Sequence, residues 1–234
     1  MKAKTGNYLA GKQLAAMVLV VLVPLAAACG VTLPGTGERA QLYVLTPKST
    51  YPDNLPKADW QLLVEDATSP AGLDTPRIAV AYSPIELDYF ARTAWTDRAP
   101  EMVSRLLVES FENSGKIIAV GRDAIGLRSN LLLKSELREF QAEYDRAPAQ
   151  SVTEDGASGT GKAPVIRVRI AAKLVRMPQR IIVDSRTFEY VAPAKANTME
   201  AIVIAFDDAL GHVLKRIVVW TLTEGDKIVK ESGG

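Results

Sequence analysis

The sequence holds one cysteine and one histidine in 234 residues. A single cysteine excludes an intrachain disulfide and any zinc site of the cysteine-rich kind. An excess of either charge is also missing: 28 Lys and Arg stand against 27 Asp and Glu, a net charge of +1. That balance leaves no electrostatic footprint for nucleic acid or a strongly anionic partner. No apolar run reaches the about 20 residues that a membrane-spanning helix needs. The longest, Leu14 to Ala28, has fifteen. No internal repeat and no second domain are evident. What is present is a hydrophobic fraction of 47%. That suffices for one domain of about 200 residues to bury a sizeable core without staples.

The N-terminus carries the most information. Lys2, Lys4 and Lys12 form a basic stretch without an acid, and "LAAMVLVVLVPLAAA" follows. This is the layout of a secretory signal ending in small residues. The lone cysteine comes next, in "LAAACG": Leu25, Ala26, Ala27, Ala28 and Cys29. The run resembles a bacterial lipobox. Residues 1–28 are thus read as a lipoprotein signal peptide, cut between Ala28 and Cys29. The Cys29 thiol is expected to carry a diacylglycerol and its new amine an acyl chain. Several chains anchor stably, because each buried methylene contributes about 0.8 kcal/mol and one chain alone holds weakly. An ordinary secretory leader and an uncleaved anchor are the competing readings. Gly30 stands where enteric-type sorting uses Asp to retain lipoproteins at the inner membrane, which favours the outer membrane. Removing residues 1–28 takes away three lysines and no acid, so the mature surface is slightly acidic.

Along the mature chain, "GVTLPGTGERA" reads as a flexible tether, so residues 29–40 are the lipidated cysteine and its linker. Strands are expected over 41–47, 60–66, 76–83 and 85–92, the last two as a hairpin through Ser83 and Pro84. In 85–92, Ile85, Leu87 and Tyr89 alternate with Glu86, Asp88 and Phe90. A helix follows, capped by Thr96 or Asp97, with Pro100 in its first turn and Gly115 as its stop. Met102, Val103, Leu106, Leu107 and Phe111 share one face. Strand 116–122 completes a strand–helix–strand unit. Residues 131–145 are ambiguous: Leu133, Leu137, Phe140 and Tyr144 have helical spacing, while a strand needs a phase change between Leu137 and Phe140, as a bulge provides. In 165–176, Ile166, Val168, Ile170, Ala172 and Leu174 face one way and Arg167, Arg169 and Lys173 the other. Strand 180–193 follows through a tight turn, giving an antiparallel meander. The last helix starts at Asn197, with Glu200 completing a capping box, and its apolar stripe runs to about Trp220. The fold class is α/β (α+β): a single domain over 41–224, with a mixed, mostly antiparallel sheet and two main amphipathic helices. Residues 147–163 are expected as a flexible loop and 225–234 as a tail.

Candidate chemistry is thin. "GASGTGK" (156–162) fits seven positions of the phosphate-binding loop G-x-x-x-x-G-K-[ST]. Its eighth position is Ala163, so the Mg²⁺-binding hydroxyl is missing. A strand is expected after it, whereas a phosphate loop opens a helix whose amides face the anion. It is read as a solvated loop. His212 lies four residues after Asp208, which suits a surface pair better than half of an acid–base dyad. Asp207 and Asp208 are adjacent on a helix and cannot converge on one metal. Ser104, Ser110, Ser114 and Ser158 have no histidine partner. No catalytic, cofactor-binding or metal-binding residue is assigned. Arg167, Arg169 and Lys173 form a basic stripe, either a wetted sheet face or a contact for lipid headgroups or an acidic partner. Trp95 and Trp220 are either interface anchors or core.

"QLYVLTP", "RTAWTDRAPEMVSRLLVESFENSGKIIAVGR", "ELREFQAEYD", "VIRVRIAAKLVRMPQRIIVDSRTFEYVAPA" and "AIVIAFDDALGHVLKRIVVW" together resemble the ABC-type transport auxiliary lipoproteins. Trp95, Asp97, Pro100 and Met102 at the helix start, and Phe206, Ala209 and Leu210 in the last helix, carry much of the likeness. It covers nearly all of residues 29–222, and the Gly- and Ser-rich loop looks like an insertion. The resemblance implies a strand at 131–145. It also implies a non-enzymatic accessory in Pqi-type systems, which pair a mammalian-cell-entry (MCE) protein with an ABC permease and an ATPase. Such systems are thought to move phospholipids or other hydrophobic molecules between two membranes. The implied place is the outer membrane, lipid-anchored and facing the periplasm, with no cofactor beyond the lipids on Cys29. A homo-oligomer docking on an MCE ring fits that role. The competing reading is an envelope-assembly lipoprotein that partners an outer-membrane protein.

Overall fold

A computed structural model describes residues 39–122, 129–144 and 162–232. In chain order the elements are β1 (Gln41–Tyr43), β2 (Ala58–Val64), β3 (Arg77–Ser83), β4 (Glu86–Trp95), α1 (Ala99–Ser114), β5 (Ile117–Arg122), β6 (Leu131–Glu143), β7 (Val165–Arg176), β8 (Ile181–Pro193) and α2 (Met199–Ser232). The strands form one mixed eight-stranded sheet, and the two helices make this an α/β fold.

Strand β6 organises the sheet. One edge pairs antiparallel with β7 along nearly its whole length, and β7 pairs in turn with β8. Its other edge is shared. Leu131–Leu133 pair in parallel with β2, and Gln141–Glu143 pair in parallel with β3. Between them the chain after β2 stays hydrogen-bonded to β6: Glu65 N–H donates to Leu133, Thr68 N–H to Ser135, and Leu137 N–H back to Thr68. Strand β5 lies outside β2, while β4 and then β1 lie outside β3. The long ladders of the β6–β7–β8 meander are antiparallel; the ladders that add β1, β2 and β5 are parallel.

The ambiguous segment is therefore strand. Its register shifts between Leu137 and Glu139. The extra residue, Arg138, reverses the alternation, so Leu137 and Phe140 both enter the core. That bulge is what imitates helical spacing. Strand β4 has a similar irregularity. Its register on β3 slips between Tyr89 and Ala94, where Arg92 takes a left-handed backbone with φ 52°. Of its two faces, Phe90 and Trp95 are buried, whereas Ile85 and Leu87 are exposed at the hairpin end. On β7 all five inward residues, from Ile166 to Leu174, are buried.

Helix α1 buries Met102, Val103, Leu106, Leu107 and Phe111 and ends at Gly115, whose φ of 59° is the left-handed stop. Its expected cap is corrected. Arg98 occupies the N-cap position without a side-chain bond, and the Asp97 carboxylate is held by Arg105 at 2.7 Å. Helix α2 is also corrected at its start. The Thr198 carbonyl accepts the first helical bond and its Oγ1 accepts the Ala201 N–H, while Asn197 Oδ1 accepts the Tyr144 hydroxyl at 2.6 Å. At its other end α2 does not stop near Trp220. It runs on through residues 225–232, where Ile228 and Val229 pack on the core.

The core lies between the helices and one sheet face, with Trp95, Phe140 and Phe206 in mutual ring contact at 5.0–5.6 Å. Gly225 permits the crossing of α2 over the β2–β6 arm. A Cβ there would lie 2.5 Å from the buried Trp60 ring and 2.9 Å from Leu131. Alanine in place of a helical glycine ordinarily stabilises by about 1 kcal/mol. Here Gly225→Ala is expected to destabilise the domain by about 1–3 kcal/mol, since a methyl is forced into filled space. Urea denaturation checks this, and a raised midpoint contradicts the close crossing.

Candidate functional site

Ala28 and Cys29, the expected processing and lipidation residues, lie outside the described residues, as do Ser158 and all of "GASGTGK" except Lys162. The element that follows that loop is strand β7. A phosphate-binding loop needs a helix there.

The chain enters the domain under restraint. Thr46 donates both its N–H and its hydroxyl to Asp207 on α2, at 2.7–3.0 Å. Lys48 N–H donates to Ser110 on α1 at 2.9 Å, and the Tyr51 hydroxyl donates to the Ser110 carbonyl at 2.8 Å. Leu45, just before Thr46, is buried. The segment after β1 is thus strapped to both helices, and Asp207 serves as its anchor. Ser104 acts likewise, accepting the Ala67 N–H at 2.7 Å. Both serines are fully buried and bond backward within α1, to Pro100 and Leu106. Ser114 donates to Phe111. These hydroxyls are structural ties.

His212 Nε2 is 3.6 Å from Asp208, and its ring stacks on Tyr190 at 4.1 Å on an exposed part of α2. Among the described residues no group of three or more His, Cys, Asp or Glu could hold a metal ion. Trp95 is core, and Trp220 is buried with its indole N–H donated to Asp184 at 2.8 Å.

The basic stripe of β7 is not free charge. Arg167 bonds Glu143 at 2.9 Å from β6 and Glu189 from β8, with Glu139 at 3.8 Å. Arg169 pairs with Glu139. Lys173 is exposed, beside Lys134 and Ser185. The hydrogen bond that Arg167 donates to Glu143 is the main influence raising the Arg167 pKa; burial opposes it and Glu189 adds to it. Beside this network a groove of about 740 Å³ runs under the β3–β4 hairpin, where Tyr82 and Tyr144 stack at 5.4 Å. Removing the cation leaves Glu143 and Glu189 without their ion-pair partner, while Glu139 keeps Arg169. Arg167→Met is therefore expected to cost about 1.5–3 kcal/mol, the range for hydrogen bonds to charged groups. Much of that loss should vanish in about 1 M salt; paired denaturation curves at low and high salt read both effects.

Burial pushes the Tyr51 phenol up to about 12, against a smaller opposing effect of Ser110. Burial, with Tyr82 nearby, pushes Tyr144 up to about 12. The unfolded chain releases these protons near pH 10. Ionisation then favours unfolding, so stability is full below about pH 10 and falls as pH rises toward 12. Tyr144→Phe is expected to flatten that decline in a pH series of melting temperatures.

Between β8 and α2 lies a second slot, of about 380 Å³. Phe188, Val219 and Trp220 make its apolar part, and Arg186, Lys215, Arg216, Thr223 and Glu224 its polar part. Arg216 donates to the Glu189 carbonyl at 2.8 Å and sits 5.8 Å from the Phe188 ring centre. The sequence pattern does not reveal this cluster, because Arg186 and Lys215 come from separate elements and only the packing of α2 on β8 joins them.

Similarity to known proteins fits this architecture. A family model for the ABC-type transport auxiliary lipoprotein component matches residues 43–218. The crystal structure of protein XCC0632 from Xanthomonas campestris superposes with a TM-score of 0.71 and 31% identity, covering 82% of this chain and 99% of that one. A second crystal structure, of an uncharacterized protein, shares the fold at a TM-score of 0.56 and 14% identity, covering 77% and 97%. The uncharacterized protein bll6063 of Bradyrhizobium diazoefficiens is 27% identical over 193 residues, 80% of this chain. The chain spans about half the length of that curated relative, 47%. No helix among the described residues is long and apolar enough to cross a membrane. With the family model covering most of the domain from β1 into α2, the chain belongs to the ABC-type transport auxiliary lipoprotein family.

Proposed function

We propose that this chain is the lipid-anchored, periplasm-facing accessory of an MCE-type ABC transport system at the outer membrane. The system would move phospholipids or other hydrophobic molecules between the two membranes. The family match over residues 43–218 carries this reading. The lipobox "LAAACG" supports it by supplying an anchor at Cys29, twelve residues before β1. The strapped segment at Thr46 and Lys48 suits a domain held by its N-terminus, since it ties the chain to both helices directly after β1. In this reading the chain performs no chemistry. Energy comes from a separate ATPase acting with a permease, and the chain docks an MCE-domain protein on its periplasmic side, as a monomer or a ring.

Crosslinked pull-down of the tagged full-length chain from its native envelope tests the reading, with partners identified by mass spectrometry. An MCE-domain protein is the expected partner. Recovery of only an outer-membrane barrel or assembly factor would place the chain among envelope-assembly lipoproteins instead. Cys29→Ser is expected to release the chain from the membrane fraction and to abolish palmitate labelling.

A further inference from the structure

We infer that the tip of the β3–β4 hairpin, Pro84 and Ile85, inserts into the bilayer that holds the anchor, so that this end of the sheet faces the membrane. The inference rests on the lipid-anchored reading above and adds to it a contact and an orientation. It starts from an anomaly of turn chemistry. Ser83 pairs with Glu86, so Pro84 and Ile85 form a two-residue turn. Such turns favour Gly, Asn or Asp, which suit the backbone and face water readily. Here the second turn residue is an isoleucine, 97% exposed, the most exposed large hydrophobic side chain among the described residues. Pro84 before it is exposed, and so is Leu87 just behind it. The hairpin also overhangs the sheet. Strand β3 last pairs with β6 at Ala81, and beyond that point it pairs only with β4.

Single exposed apolar residues are ordinary on a protein surface, so position has to decide what covers this one. Ile118, Ile181 and Ile182 are exposed at the opposite end of the sheet. The path of the chain distinguishes the two ends. Strand β1 runs parallel to β4, with Gln41 beside Thr93 and Tyr43 beside Trp95. Strand β4 runs away from the hairpin tip, so the chain enters β1 from the side of the tip. Leu42 and Arg77 both pair with Ala94, and Ser83 is six steps beyond Arg77. At about 3.3 Å per residue the hairpin projects about 20 Å past the point of entry. Cys29 precedes Gln41 by twelve residues. A flexible linker of that length has an r.m.s. span of about 20 Å. A linker at its natural span therefore brings the tip to the level of the lipidated cysteine.

The chemistry of the tip selects burial over charge as the driving force. Glu86 and Asp88, both exposed, follow the turn directly. They repel anionic headgroups, so the contact depends on the apolar turn residues. Tyr82, half-buried behind the tip, is a residue type that suits the headgroup level. One isoleucine binds a bilayer weakly by itself. The acyl chains on Cys29 make its insertion intramolecular, and a short linker gives it a high effective concentration at the surface.

The test uses the full-length lipidated chain in phosphatidylcholine vesicles. With Cys29 acylated, an introduced cysteine is the one free thiol, so Ile85→Cys takes a nitroxide label at the tip. Ile118→Cys, exposed at the opposite end of the sheet, serves as the control. Accessibility to lipid-soluble oxygen is compared with accessibility to a water-soluble nickel complex. The ratio at 85 is expected severalfold above that at 118. A label on Leu87→Cys reports the same contact, and adding Ile85→Asp is expected to return it to a water-like ratio. Ile85 is exposed, so this substitution leaves the core intact. About 0.5 M salt is expected to leave the ratio at 85 unchanged, because no attraction between charges holds the tip. A label at 85 as water-like as that at 118, or shielding that salt removes, overturns the inference. So does a label at 85 that is water-like in vesicles and shielded only in the native envelope, which gives the tip to a protein partner instead. These outcomes leave the pull-down result intact. A chain that fails to float with the vesicles overturns the anchor reading and this inference together.

Discussion

Strand β6 is the constraint on which the rest depends. Its one long antiparallel partner, β7, supplies the rigid half of the sheet. Its other edge is divided between β2 and β3, which run parallel to it at opposite ends. A strand so used must be buried along its length, and its inward residues from Leu131 to Ala142 are. The bulge at Arg138 makes this possible. Without the extra residue, Phe140 would turn outward, and the contact of Trp95, Phe140 and Phe206 would be lost from the centre of the core.

The two helices then cover one face, and polar ties rather than long loops hold the remaining chain to them. Ser104 and Ser110 each serve a passing backbone amide, and Asp207 serves two donors of Thr46. Each of these groups reads in isolation as a possible catalytic side chain. In the fold each is used up by a backbone requirement, because a buried amide without a partner is costly. The opposite sheet face handles charge by interleaving. The arginines of β7 lie between glutamates of β6 and β8, so a stripe that is basic in one strand is neutral across three.

Legibility followed how local each decision was. The β7 alternation, the apolar stripe of α2, the buried face of α1 and its Gly115 stop are all set by backbone periodicity and a single residue's φ, and they stand in the sequence. The segment over 131–145 was open to two readings because a bulge shifts the phase of a strand toward helical spacing. Caps misled for a related reason. Asn197 and Asp97 are good caps in isolation, but Tyr144 and Arg105, distant or downstream, claim them first.

The chain by itself therefore determined most of its elements, most of its core-facing residues, the lipobox-like run and its family likeness, because these rest on spacing along one strand of covalent structure. Only the tertiary structure decided which charges are neutralised, where α2 ends, and which cations, among the described residues, come together without a carboxylate partner. Those outcomes depend on what lies beside a residue after folding. Arg167 meets Glu143 and Glu189 only through strand register. Gly225 meets Trp60 only where α2 crosses the sheet. Arg186 meets Lys215 only across the packed interface of strand and helix.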